Sequence, residues 1–185
     1  MTTAPKLLTA DALLAMADDG KRYELVRGEL IEMPPPGFAH GIVVDNIGWL
    51  IGTFIRQNSL GFVSTSETGI YVEQGPDTVR AADFAIIARE RITEPVPERG
   101  YVAGLIPDLV VEVISREYSV SEAEARALMW LEAGVRLVLT AYIATREIVA
   151  SYEGGVTRRF GSNDTLTCEP VLSGFACPVA DIFTY

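Results

Sequence analysis

The sequence predicts an α/β or α+β domain around a central mixed sheet. Three observations carry that expectation. Several short runs are rich in β-branched residues, one long early segment has helical apolar spacing, and one shorter helical segment lies between two later strand-like runs. A length of 185 residues suits one domain over 1–185 with a sizeable core.

The elements follow in order. "TADALLAMADD" predicts a helix capped by Thr9, with Leu13, Leu14 and Met16 on its apolar side. "YELVRGELIEM" predicts a hairpin turning at Arg27-Gly28, and "PPPG" a loop. From Phe38 to about Ile55, Val43, Ile47, Leu50 and Phe54 recur at helical spacing, and His40 lies one turn earlier on the inward side. "FVSTSETGIYVE" and "ADFAIIAR" read as strands separated by a loop at "QGPDTVR"; a second loop, "ERITEPVPERGYVAG", leads into the strand "PDLVVEVIS". "SEAEARALMWLEAG" predicts a helix with capping-box spacing at Ser121 and Glu124 and a stop at Gly134. "VRLVLTAYI" and "EIVASYE" are strands joined by "ATR", and "VLSGFACPVADIF" is short packed structure.

Composition narrows the function classes. Hydrophobic residues make up 49%, too many for a disordered chain. No apolar run is expected to approach the roughly 20 residues of a membrane span, and no basic, apolar and cleavage-site succession marks a signal peptide, so a cytoplasmic protein without a membrane partner is expected. Cys168 and Cys177 form no C-x-x-C pair and His40 is the sole histidine, which excludes a Cys/His zinc site. A net charge of −10 argues against a sequence-independent nucleic-acid coat protein but leaves room for an enzyme with a local basic groove. No G-x-S-x-G is present, and a single histidine offers little for a hydrolase triad.

One residue stands out. In "IPDLVVEVIS", alternation turns Asp108, Val110, Glu112 and Ile114 to one face and Leu109, Val111 and Val113 to the other. Glu112 is a carboxylate inside a strand buried on both faces, which is costly without a partner. Asp83, at the entrance of "DFAII", comes beside it if the two strands pair. Two carboxylates sharing one partly buried spot call for a divalent cation, and hard oxygens suit Mg²⁺, which keeps waters and takes substrate phosphates. The competing reading is structural: acids at strand ends accept backbone N–H groups or an Arg, with Arg80 an available partner for Asp83. Asp108, after Pro107, reads as a turn acceptor, and Glu24 and Glu29 as strand-edge or ion-pair residues.

"YELVRGELIEMPPPGFAHGIVVDNI", "TVRAADFAII", "PDLVVEVIS", "LEAGVRLVL" and "LSGFACPVADIF" together resemble the Uma2 family, a bacterial group with a restriction-endonuclease-like, PD-(D/E)xK-type fold. The resemblance spans nearly the whole chain in order. It implies a central mixed β-sheet flanked by helices and Mg²⁺- or Mn²⁺-dependent hydrolysis of phosphodiester bonds in nucleic acid, DNA first of all. Asp83 and Glu112 match the family's metal ligands, His40 its histidine at the start of the long helix, and Arg126 the position where the family carries a helical Lys. Nucleases of this fold often work as homodimers, so a homodimer is expected.

The chain also departs from the family pattern. Arg126 stays protonated and is a poor base, although it can hold a phosphate; its plain alternative is an i, i+4 pair with Glu122. "RAAD" has Ala82 where the family has Pro, the strand of Glu112 runs into Ser115-Arg116-Glu117, and the later strand ends in Tyr142-Ile143. These departures support a second expectation, a catalytically weakened binding or assembly module.

Overall fold

Thr9 starts the first helix, α1 (Ala10–Leu14), by accepting a hydrogen bond from the Ala12 N–H. The predicted helix over residues 9–19 ends early because the Asp18 and Asp19 side chains accept from the backbone N–H groups of Gly20 and Lys21, an arrangement that competes with helix. Residues 7–65, 68–93, 95–115 and 119–185 are described by this computed structural model. Arg116 and Glu117, two of the sequence departures, lie outside the described residues.

The predicted hairpin forms from β1 (Arg22–Val26) and β2 (Glu29–Met33), paired antiparallel from Val26↔Glu29 outward. Arg27 (φ 50°) and Gly28 (φ 80°) make its two-residue turn. Gly28 also lies under Leu7, whose Cβ would be 2.6 Å from any Cβ added there. The long helix, α2, spans Phe38–Gln57. Its length and composition alone would suffice to cross a membrane, which corrects the expectation that no apolar segment approaches that length. Val43, Ile47, Ile51 and Ile55 are buried in the core of the fold.

The predicted single strand over residues 62–73 is two strands in two sheets, β3 (Gly61–Thr65) and β4 (Gly69–Glu73). Part of the predicted loop before Ala81 is β5 (Thr78–Ala81). Its one branched aliphatic residue, Val79, is buried beside Leu25 of β1 and Ala10 of α1, a tertiary gain that a run of four residues does not advertise. The small sheet has the order β2-β1-β5-β4.

The main sheet contains β3, β6 (Phe84–Ala88), β7 (Leu109–Ile114), β8 (Leu137–Tyr142), β9 (Glu147–Tyr152) and β10 (Thr157–Phe160), in the order β10-β9-β8-β7-β6-β3. β7 and β8 are parallel and the other pairs antiparallel, so the sheet is mixed, as predicted. The crossover between β7 and β8 is α3 (Val120–Glu132). Its capping box uses Ser119 and Glu122, two residues before the pair expected from spacing. Gly134 follows the helix with φ 104°, as its stop position requires.

The two faces of the main sheet have different cores. Leu109, Val111 and Val113 pack with α2 and with the C-terminal hairpin β11 (Thr165–Cys168) and β12 (Leu172–Pro178), followed by α4 (Val179–Ile182). Val110 packs with Ala127 and Trp130 of α3. β10 and β11 are strands that the sequence reading did not identify. β10, "TRRF", is a largely exposed edge strand without an apolar pattern.

Candidate active site

β7 carries Glu112 on the α3 side, the same side as Val110. On α3, Arg126 and Trp130 are four residues apart and therefore share a face. Both reach Glu112. The Trp130 indole Nε1–H donates to Oε1 at 2.6 Å, and Arg126 Nε lies 2.8 Å from Oε2. The buried carboxylate thus has an indole and a guanidinium as partners. Glu122 is used in the capping box, and Arg126 points inward from α3.

Asp83 is positioned by the end of a ladder. β6 and β7 pair as far as Phe84↔Val111; one step beyond, Asp83 Oδ2 accepts the Val113 backbone N–H at 2.8 Å. The same oxygen is 3.1 Å from His40 Nε2, which the first turn of α2 presents. The pairing of β6 with β7 therefore brings Asp83 and Glu112 together, and both structural roles considered in the sequence are present too: Asp83 takes a backbone N–H and Glu112 takes an Arg.

Glu24 is the residue the sequence reading undervalued. Expected as a strand-edge or ion-pair residue, it takes the ion-pair role and is 3% exposed. Its Oε1 accepts from the Ala81 N–H at 3.0 Å and from Arg126 Nη2 at 3.0 Å; its Oε2 accepts from Arg126 Nη1 at 3.2 Å and lies 3.1 Å from Arg80 Nε. Arg126 Nη2 also donates to the Ala81 carbonyl at 2.9 Å. Glu24 alternates with the inward Leu25, so β1 read alone places it outside; β5, paired beside β1, brings Arg80 and Ala81 to it, and Arg126 reaches it from α3. Trp130 likewise carries no site signal in the sequence, its N–H having no visible partner there.

Glu29 is exposed, as expected of an edge residue. Asp108 sits at the other end of β7, where its Oδ2 accepts the Ala88 N–H, twenty residues away in sequence, at 2.8 Å and its Oδ1 lies 3.1 Å from Arg91 Nη1; it ties β7 to the end of β6 and does not make the local turn expected for it.

The electrostatics follow from burial. Burial pushes the Glu112 carboxyl up; Arg126 opposes this, while the Asp83 charge adds to it. Burial would raise Glu24 as well, but Arg126 and then Arg80 hold it below its ordinary value. For Arg126 burial works against the charge, and Glu112 and Glu24 outweigh it, so the guanidinium stays protonated. Three carboxylates face two guanidiniums here, an excess of one negative charge before any on His40 is counted.

A cleft of about 420 Å³ opens over this cluster. Its floor includes Glu24, His40, Asp83, Glu112 and Arg126, and its walls include Lys21, Arg22 and the loop Pro34-Pro35-Pro36. Among the described residues no three or more His, Cys, Asp or Glu side chains converge into a metal cage. The donor set fits a hard divalent cation that takes two carboxylates and completes its shell with water and phosphate oxygens.

Residues 10–180 match the Uma2 family, described as "Putative restriction endonuclease". The chain belongs to the Uma2 family. A solved structure from Anabaena variabilis ATCC 29413, described as "a putative nuclease belonging to DUF820", matches this Uma2 chain with a TM-score of 0.78 and 17% identity, over 95% of this chain and 97% of that one. At that identity the likeness establishes the fold, in agreement with the mixed α/β architecture predicted from the sequence. No curated protein matches this Uma2 chain in sequence.

Proposed function

We propose that this Uma2 chain is a Mg²⁺- or Mn²⁺-dependent endonuclease that hydrolyses phosphodiester bonds in DNA, with Asp83 and Glu112 as the metal ligands. The observation that carries this reading is the meeting of Asp83 and Glu112 at the floor of a solvent-open cleft with Lys21 and Arg22 on its walls. Asp83 and Glu112 would hold a divalent cation there, which would supply a bound water of lowered pKa and Lewis-acid polarisation of a phosphoryl oxygen.

The chain's own groups do the rest. Lys21, its Nζ 2.7 Å from Glu32, and Arg22 are the basic groups on the cleft wall that a polyanionic backbone would meet in a protein that is otherwise strongly acidic. Trp130 holds the Glu112 carboxylate in one orientation. His40 Nε2, beside Asp83 Oδ2, holds or passes a proton at the cleft floor. Arg126 remains charged and offers N–H groups to developing negative charge, but does not act as a base. Cutting both strands requires two such sites, and we propose a cytoplasmic homodimer for that purpose.

The test is a calorimetric titration of Mn²⁺ into the folded chain with Glu112→Gln as control. Binding that disappears in the variant supports the reading and justifies a cleavage screen across DNA substrates. A second reading, a binding module that has lost catalysis, is favoured by Arg126 standing where the family carries Lys and closing on Glu112 Oε2. A folded wild-type chain that binds no Mn²⁺, alone or with DNA, would select it.

A further inference from the structure

Arg126 divides its donors unequally. Nε faces Glu112 Oε2 at 2.8 Å, whereas Nη1 and Nη2 make three hydrogen bonds at the other end, two to Glu24 and one to the Ala81 carbonyl. The planar fork suits this: its end grips Glu24 in two places, and its Nε edge touches Glu112 once.

The two carboxylates are held independently of the guanidinium. Glu112 keeps Trp130 Nε1–H on its other oxygen at 2.6 Å, and Glu24 keeps the Ala81 N–H and Arg80. Neither needs to follow Arg126 if the arginine tilts. A cation on Asp83 and Glu112 and a guanidinium on Glu112 compete for one carboxylate oxygen and repel each other.

We infer that Arg126 is a displaceable latch on the proposed metal site, hinged on Glu24: Nε releases Glu112 Oε2 when a divalent cation enters, while Nη1 and Nη2 stay on Glu24 and Ala81. This rests on the metal-site reading above. The released Nε–H then faces the cleft, where a phosphoryl oxygen is its natural acceptor. Glu24 is accordingly the positioning residue for Arg126. It keeps the arginine at the site after Glu112 is given up.

The latch makes opposite predictions for its two ends. Removing the competitor in Arg126→Met tightens Mn²⁺ binding, by about ten- to a hundredfold if one charge-assisted hydrogen bond no longer has to be broken. Weakening the hinge in Glu24→Gln leaves Glu112 as the only full negative charge on the guanidinium, so the latch closes harder and Mn²⁺ binds more weakly. An arginine that only holds the fold would weaken binding in both variants or change neither, and one acting only as a fixed nearby charge would keep its Nε–H on Glu112 when the metal binds, which the Nε–H resonance below reads.

Calorimetry on the whole folded chain reads this, with wild type, Arg126→Met, Arg126→Lys, Glu24→Gln and Glu112→Gln titrated with Mn²⁺ alone. Equal or weaker binding by a folded Arg126→Met, with wild-type binding still abolished in Glu112→Gln, overturns the latch and leaves the metal site standing. Absence of binding in both wild type and Arg126→Met overturns both. Binding by Arg126→Met but by wild type neither alone nor with DNA overturns a displaceable latch, because the arginine is then a fixed block on the site. If Arg126→Met does not fold, Arg126→Lys takes its place, since an ammonium cannot span both carboxylates with a fork, and tighter binding is again expected. Independently, in the ¹⁵N-labelled wild type the Arg126 Nε–H resonance should shift on adding Mg²⁺ while the Trp130 indole N–H resonance stays near its place. An Arg126 resonance unmoved at saturating Mg²⁺ overturns the latch.

Discussion

Trp130→Phe isolates the partner that holds Glu112. Trp130 is fully buried, and its Nε1–H is 2.6 Å from Glu112 Oε1. Phenylalanine keeps most of the apolar contact with Val110, Ala127 and Val138 but removes the donor. A hydrogen bond to a charged group contributes about 1.5–3 kcal/mol. The smaller ring adds a packing loss of about 1–2 kcal/mol, part of the 3–5 seen for full truncation of an aromatic. The expected cost is therefore about 2.5–5 kcal/mol, read as a shift in the urea midpoint with unchanged slope. A double-mutant cycle separates the two parts. In a Glu112→Gln background the acceptor is neutral and its bond worth less, so Trp130→Phe should cost about 1 kcal/mol less there. A total cost under about 1 kcal/mol would refute the bond as a significant contributor. An equal cost in both backgrounds would refute its dependence on charge.

Three further outcomes are expected. Glu24 is held below its ordinary carboxyl value of 4.5 in the folded chain, so its stabilisation is present above pH 4.5 and is lost as pH falls through the folded value. Glu24→Gln should cost about 3 kcal/mol at pH 7 and clearly less at pH 3.5 in urea unfolding, and an equal cost at both would exclude the ionised pair. Burial pushes the Cys168 thiol up to about 12 and Cys177 up to about 11, so a thiol reagent at pH 8 should label neither in the folded chain and both in urea; one fast-reacting native thiol would contradict this. Ser119→Ala should cost about 1 kcal/mol as loss of the α3 cap, against at most about 0.5 for Ser121→Ala, and the reverse order would return the cap to the spacing read from sequence.

The legible parts of the fold were those with a strong local period or an unambiguous stop. α2, β7, β8 and β9 carry enough apolar residues to declare themselves, and the Arg27-Gly28 turn and Gly134 need the backbone conformations they adopt. The misread parts are short. α1 loses its last turns to two aspartate side chains, β5 has one branched aliphatic residue and β10 has an arginine pair, so pairing rather than pattern makes them strands. The same division holds in the site. Glu112 was conspicuous as an acid among valines and Asp83 as its neighbour if their strands paired, while His40 and Arg126 were singled out as site residues through the resemblance to Uma2. Glu24 sits in a strand whose sequence looks like an edge, and it is buried because β5 pairs beside β1 and Arg126 of α3 reaches it.

By itself, then, the sequence determined that a mixed α/β fold would form, that Glu112 would be desolvated, and that Asp83 would come near it if their strands paired. Those are consequences of alternation and burial, which are local properties of the chain. Tertiary structure decided what Glu112 touches. α3 crosses the sheet so that Arg126 and Trp130 reach opposite oxygens of one carboxylate, and β1 brings Glu24 to the far end of the same guanidinium. Residues 24, 112 and 126 are too far apart in sequence for any local pattern to relate them. Their coupling depends on where the two sheets and the crossover helix meet.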